Sequence, residues 1–401
     1  LSLLQKGIRL SKRGILLNGI LFAVFFTFYY VFSLHVLTKI KFLWENPAIL
    51  QALFSFTIAG TLVVASFFGK KLMKMSIIFA SSFITCAAAI SLLFSFNSLL
   101  VLFEVFLVGV FFSICQLAFF VHFWSTTVTV ERGRIGGIIG FATLPFYFIM
   151  SDLVANGLDF SGTTILATVL LLTPLVVMLA KPRFSMSQVK QNGMYYERRA
   201  FILYFVPWII FSLVNATLSR NITINTESYL SSSSYGMVII LQTVMGLAGA
   251  LLGGFMSDIF GRRAILAGSV ALYGAGMALS GVFYNPTSAY LAYSAEGFSW
   301  GVFLTLYLFV IWGDLSSREN HAKIYALGLT AFYIAASLGP FSALISFDPI
   351  QSALIGCVAL FIAYAFVSYA PELQPSDFRE KMMLKMHIKA VKKAAEELNH
   401  G

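Results

Sequence analysis

Of the 401 residues 59% are hydrophobic and 11% are charged, under half the roughly one-quarter charged content of soluble domains, which excludes a soluble enzyme and a disordered chain. The net charge of +10 does not mark a nucleic-acid binder, because the basic residues fall in short stretches between long apolar runs. Three cysteines, Cys86, Cys115 and Cys357, lie inside apolar runs without a CxxC partner, so neither a disulfide framework nor a metal site is expected.

Apolar runs fall at 14–38, 48–68, 76–96, 98–123, 134–152, 162–180, 200–218, 234–257, 264–284, 288–311, 325–346 and 350–370. Each approaches the roughly 20 residues that a helix needs to cross a hydrocarbon core of about 30 Å. The basic stretch Lys6 to Arg13 leads into the first run with no small-residue cleavage site, so no cleaved leader is expected. With the N-terminus inside, 24 of the 27 Lys and Arg residues fall on the inner side, leaving Lys39, Lys41 and Arg220 outside. That is the positive-inside pattern. A multi-pass protein of the cell membrane with both termini cytoplasmic is therefore expected.

The polar stretch 181–199 divides the spans into an N-terminal half, 1–180, and a C-terminal half, 200–370. The halves echo each other. Glu104, Phe106, Gly109, Val110 and Phe111 recur in order as Glu296, Phe298, Gly301, Val302 and Phe303. Phe68-Gly69-Lys70-Lys71 recurs as Phe260-Gly261-Arg262-Arg263, and the pair Glu131 and Gly140 recurs at the same spacing as Glu319 and Gly328. An internal duplication is the reading. The remaining residues, 371–401, are predicted to form a cytoplasmic tail in which Leu384, Ile388, Val391, Ala395 and Leu398 share one face among lysines, a basic amphipathic helix suited to a membrane surface.

The break between the eighth and ninth runs reads Gly254-x-x-x-Asp258-x-x-Gly261-Arg262-Arg263. This pattern resembles the cytoplasmic loop motif of the major facilitator superfamily of transporters. Glu131-Arg132-Gly133-Arg134, Asp314 to Glu319 and Pro371-Glu372 are similar to other inner-side features of that family. The resemblance covers nearly the whole chain. It implies an all-α integral membrane protein of twelve transmembrane helices in two pseudo-symmetric six-helix halves. It also implies that Gly254, Asp258, Gly261, Arg262 and Arg263 help to hold the cytoplasmic side closed. The first half departs from the motif, with Leu62 and Ser66 where Gly254 and Asp258 stand in the second.

A charged side chain at bilayer depth costs about 2.5–3.5 kcal/mol on insertion scales, so Glu104 and Glu296 are candidates for a bundle-facing role. The resemblance places helices one, four, seven and ten along the central path, where such a carboxylate can bind a cation or carry a proton. His35 is a further proton candidate, and Gln116 and Asn215 can hydrogen-bond a polar solute. No Lys or Arg lies within a span, which favours a neutral or cationic solute over an anion. A secondary transporter working by alternating access is expected, proton-coupled, monomeric, without a cofactor, and with a small solute, protons and lipid as partners. A non-transporting sensor on the same fold is the first alternative. A membrane-embedded enzyme is the second, and the sequence offers it no HExxH or GxSxG motif.

Overall fold

The computed structural model describes residues 10–40, 46–68, 75–95, 97–179, 198–317, 319–344, 347–374, 384 and 388. The central loop up to residue 197, the Lys70-Lys71 segment and the predicted tail helix, apart from helical Leu384 and Ile388, lie outside them. Among the described residues twelve long helices follow one another. They are α1 (Lys12–Lys39), α2 (Pro47–Ser66), α3 (Ser76–Phe94), α4 (Ser98–Thr126), α5 (Thr129–Gly157) and α6 (Phe160–Leu179). The second set is α7 (Arg198–Leu218), α8 (Ser232–Phe260), α9 (Arg262–Val282), α10 (Pro286–Asp314), α11 (His321–Ser342) and α12 (Pro349–Tyr369). Eleven are apolar and long enough to cross a bilayer, and α6 contains a shorter apolar stretch over Phe160–Pro174. The protein is a multi-pass membrane protein.

Local chemistry sets the helix ends. Asn46, Asn97, Asn285 and Asp348 each accept a backbone N–H of the following first turn, and after three of these a proline opens the helix without forfeiting a hydrogen bond. Between α8 and α9 the chain turns on Gly261 alone, at φ 101°, a conformation open to glycine and strained for other residues. Among the described residues three helices carry π turns, at Phe32–Val36 in α1, Val214–Leu218 in α7 and Leu306–Ile311 in α10. At Gly339-Pro340 the α-helical part of α11 gives way to a 3-10 stretch over Gly339–Leu344, as loss of the proline N–H requires.

Packing repeats with a period of six helices. In the first half α1 packs on α5 and α6, α2 on α4, and α3 on α4 and α6; in the second α7 packs on α11 and α12, α8 on α10, and α9 on α10 and α12. The main seams between the halves are α5 with α8 and α2 with α11, which the same repeat interchanges. Gly109 faces Thr57 of α2 while its counterpart Gly301 faces Ala250 of α8. Large apolar side chains such as Phe56, Phe103, Ile149, Val358 and Phe361 remain exposed on the outer faces. In a helix bundle within lipid this outward apolar face is the solvated one.

Candidate functional site: a latched end and a cavity between the halves

The basic residues of the inner loops do more than fix topology. At the first turn of α5, Arg132 Nη1 reaches Asp314 Oδ1 of α10 at 2.5 Å, and Arg134 Nε reaches Asp258 Oδ2 of α8 at 3.0 Å. Asp258 also pairs with Arg262, four residues on, and accepts the backbone N–H of Arg134 at 3.0 Å. Arg262 Nε reaches the other oxygen of Asp314 at 3.2 Å, and its Nη2 donates to the Thr129 carbonyl at 2.7 Å. Three guanidinium groups and two carboxylates thus form one continuous cluster across the halves, fully buried except for a 7% exposed Arg134 side chain. Burial at this level is tolerable because each charge has an opposite partner and further hydrogen bonds.

The cluster sits where α5 and α8 touch backbone to backbone. A Cβ at Gly254 would strike the Gly133 carbonyl and lie 2.8 Å from the Gly137 Cα, so neither helix has room for a side chain there. The chain after α12 closes over the same corner. Glu372 accepts the backbone N–H groups of Arg262 at 2.8 Å and Arg263 at 3.2 Å, capping α9 at its positive dipole end. Gln374 Nε2 donates to the Asp258 carbonyl at 2.5 Å.

Inward of the cluster, aromatic rings fill the space between the halves. Phe309 of α10 meets Phe22 of α1 with centroids 4.5 Å apart and Phe123 of α4 at 5.1 Å, and Phe120 stacks on Tyr325 of α11 at 5.5 Å. These rings are buried to within 2%. Cluster and plug together shut the basic end of the molecule.

Beyond the plug lies a cavity of about 260 Å³, walled by Phe26 and Tyr30 of α1, Tyr147 and Phe148 of α5, and Gln242 and Trp300 of α8 and α10. Gly246 is about 18 Å along α8 from Asp258 at 1.5 Å per residue, near the helix midpoint. A smaller space of about 30 Å³ shares Phe26, Tyr30 and Trp300 and reaches Gln116, Trp208 and Tyr333. No Asp, Glu, Lys, Arg or His lines either space among the described residues.

The sequence candidates separate accordingly. Asp258, Gly261, Arg262 and Gly254 come together at the latch, and Arg263 lies at its edge, donating to the Ala370 carbonyl at 3.4 Å. Gln116 reaches the central space, where its Oε1 accepts from Tyr333 at 2.8 Å. Asn215 stands one layer behind the cavity wall, its Oδ1 accepting from Trp300 Nε1 at 2.9 Å and from the Tyr273 hydroxyl at 3.1 Å. Glu104 and Glu296 do not line the cavities. Each is buried against the helix before its own, Glu104 accepting from Ser95 beyond the end of α3 and Glu296 from Ser280 of α9 at 3.4 Å.

His35 is at the far end of α1, its Nε2 paired with Ser151 of α5 at 3.2 Å. One turn on, Lys39 donates to the Val154 carbonyl at 2.8 Å and to the Leu158 carbonyl, closing the C-terminal end of α5. Nearby Asp159 caps α6, and the Gly162 N–H and Ser161 hydroxyl that it accepts hold its carboxyl below the usual range. Sequence reasoning did not single out the aromatic wall, nor Arg132, Arg134 and Asp314 as partners of the motif.

The paired halves, the seams α5–α8 and α2–α11 and the site between them define the fold of the major facilitator superfamily. No family model matches the chain, and no curated protein matches it in sequence. Solved structures do. The Escherichia coli fucose:proton symporter FucP is similar with a TM-score of 0.63 at 14% identity, over 89% of this chain and 99% of that one. A major facilitator proton:xylose symporter, XylE, bound to 6-bromo-6-deoxy-D-glucose, has a TM-score of 0.65 at 13% identity, over 91% of this chain and 98% of that one. FucP in its outward conformation is similar at 0.63 and 12% identity, over 88% and 98%.

Proposed function

We propose that the protein is a secondary transporter that carries a small neutral or cationic solute across the cell membrane by alternating access, with both termini in the cytoplasm. The observation that carries this reading is the pairing of a solute-sized cavity between the halves with a buried inter-half ion cluster at the basic end. An ion cluster that closes one mouth can be exchanged for water when the halves rock, whereas in a fixed core a buried ion pair adds little net stability over apolar packing. The positive-inside count supports placing the latched end at the cytoplasm, and with it the reading of this conformation as closed to the inside.

Proton coupling is the finer proposal, supported by the named coupling of the solved neighbours and by the two buried glutamates. Since neither carboxylate lines the cavity, the coupling is indirect. Glu296 is one turn from Trp300 on α10, and Trp300 bonds Asn215, so a change of charge at Glu296 alters the packing behind the cavity wall. Glu104→Gln and Glu296→Gln should abolish the pH dependence of transport; an unchanged pH profile in both removes the proton from the mechanism.

Alternating access is tested with Thr243→Cys, in the cavity wall, on a background lacking the three native cysteines. In sealed liposomes an impermeant maleimide should label the parent from the outer face, and Asp258→Asn should transfer labelling to the cytoplasmic face. Identical labelling of the two proteins would refute the latch.

A further inference from the structure

The cavity has a shape and a hydrogen-bonding inventory that select a class of solute. We infer that it takes an uncharged compound with one flat ring and one or two hydrogen-bonding groups, such as an aromatic or heteroaromatic amide or alcohol, rather than a free sugar or an ion. This rests on the transporter reading above and narrows it.

One wall is aromatic. Phe26 packs edge-on to Tyr147 at 5.5 Å and 88°, and Tyr30 lies 4.8 Å from Phe26 and 5.0 Å from Tyr147. The α8 and α10 side adds Trp300, Leu304, Gln242 and Thr243, with Gly246, Gly297 and Gly301 between them where the two helices touch. Those glycines are fixed by helix packing. A Cβ at Gly297 would lie 2.9 Å from the Gln242 carbonyl carbon, and one at Gly301 2.5 Å from the Ala250 nitrogen. Aromatic rings from α1, α5 and α10 thus line the cavity, and a planar group gains dispersion and ring-stacking contact with them.

The polar inventory is short because most of the polar groups nearby are already committed. Trp300 Nε1 donates to Asn215, the Thr243 hydroxyl donates to the Ile239 carbonyl at 2.9 Å, and in the smaller space Gln116 Oε1 accepts from Tyr333, which leaves the Gln116 Nε2 as a donor there. Gln242 and Tyr30 line the cavity, and their side-chain amide and hydroxyl have no hydrogen-bond partner among the described residues. Together they can satisfy one or two solute groups. A monosaccharide brings several hydroxyls, and each left unpaired costs about 1–3 kcal/mol. An ion would be desolvated with no opposite charge on the wall, since Glu296 is turned to Ser280 of α9.

The test uses the full-length, detergent-purified protein and an isosteric series. Indole-3-acetamide and 2-phenylethanol are the neutral rings, tryptamine and indole-3-acetate carry a positive and a negative charge on the same ring, and glucose and xylose are the sugars. Melting temperature screens them by mass action, and titration gives Kd. Indole-3-acetamide should bind about tenfold more tightly than either charged isostere, while the sugars leave the melting temperature unchanged. Gln242→Leu should weaken indole-3-acetamide about tenfold and leave unsubstituted indole unaffected, the loss of one hydrogen bond in a protein that still melts cooperatively.

A larger shift with xylose, or tighter binding of tryptamine, would overturn the assignment. So would binding by none of the series in a protein whose Thr243→Cys labelling still switches sides, an outcome that leaves the transporter reading standing. Labelling that fails to switch removes that reading instead, whatever the series shows.

Discussion

The seams α5–α8 and α2–α11 join the halves through helices that the internal repeat interchanges, yet they are made of different materials. Along α5–α8, Gly133, Gly137 and Gly140 face Gly254 and Ala250, with backbone against backbone and the ion cluster at the basic end. Along α2–α11 the contact is through side chains, such as the Thr330 hydroxyl near the Ala59 carbonyl at 3.4 Å and Lys323 over the Phe67 ring at 5.4 Å. Ser66 occupies the place that Asp258 holds in the repeat, and its hydroxyl returns to the Val63 carbonyl at 2.6 Å. Both seams keep the helix pairing of the repeat, and among the described residues the buried ion pairs lie along α5–α8; Lys70 and Lys71, the sequence counterparts of Arg262 and Arg263, lie outside those residues. Under the function proposed above, the α5–α8 seam would act as the latch and the α2–α11 seam as the pivot.

Breaking the latch should have the largest effect. Asp258→Asn leaves Arg134 and Arg262 short of a buried counter-charge, a loss of about 3–5 kcal/mol. Spin labels at the exposed positions Ser76 and Phe260, one on each half at the basic end, should then show a longer distance as the main population; an unchanged distance distribution would argue that the cluster holds nothing shut. Gly254→Ala forces the seam apart by steric overlap and should cost about 1–3 kcal/mol, read as a lowered melting temperature together with partial opening by the same labels.

Smaller effects separate the cap and the pivot from the latch. Glu372→Gln keeps the cap but removes its charge from the α9 dipole, which should lower stability by about 0.3–1 kcal/mol without changing the label distance. Lys323→Ala removes a cation–π contact to a Phe67 that is 70% exposed, worth about 0.5 kcal/mol, and should leave the distances of the parent intact. A pivot variant as disruptive as Asp258→Asn would erase the distinction between the two seams.

How much of this was legible in the chain follows from the range of each interaction. Spans, halves and the Asp258–Arg262 pair could be read because they depend on runs of apolar residues or on a spacing of four. The partners Arg134 and Asp314 could not, since 124 residues separate Arg134 from Asp258 and a loop arginine looks the same whether it marks topology or bridges two halves. A signal existed in the glycines at 133, 137 and 140, whose spacing of four and three matches a close helix crossing. The facing of Glu104 and Glu296 was illegible for another reason. A helix that is apolar all round carries no phase, so nothing local says whether such a glutamate looks to the central path or to α3 or α9. The aromatic wall was hidden by abundance, with 16% of the chain aromatic.

The π turn at Leu306–Ile311 lies between Trp300 of the cavity wall and Asp314 of the latch on the same helix. A π turn holds one residue more than an α turn, and one residue corresponds to about 100° of rotation. It therefore works as a phase offset along α10, letting the cavity half of the helix face α8 while the latch half faces Arg132 and Arg262. Deleting a single residue there would keep a continuous, equally apolar helix and every charged group, and yet turn Asp314 out of register with both arginines.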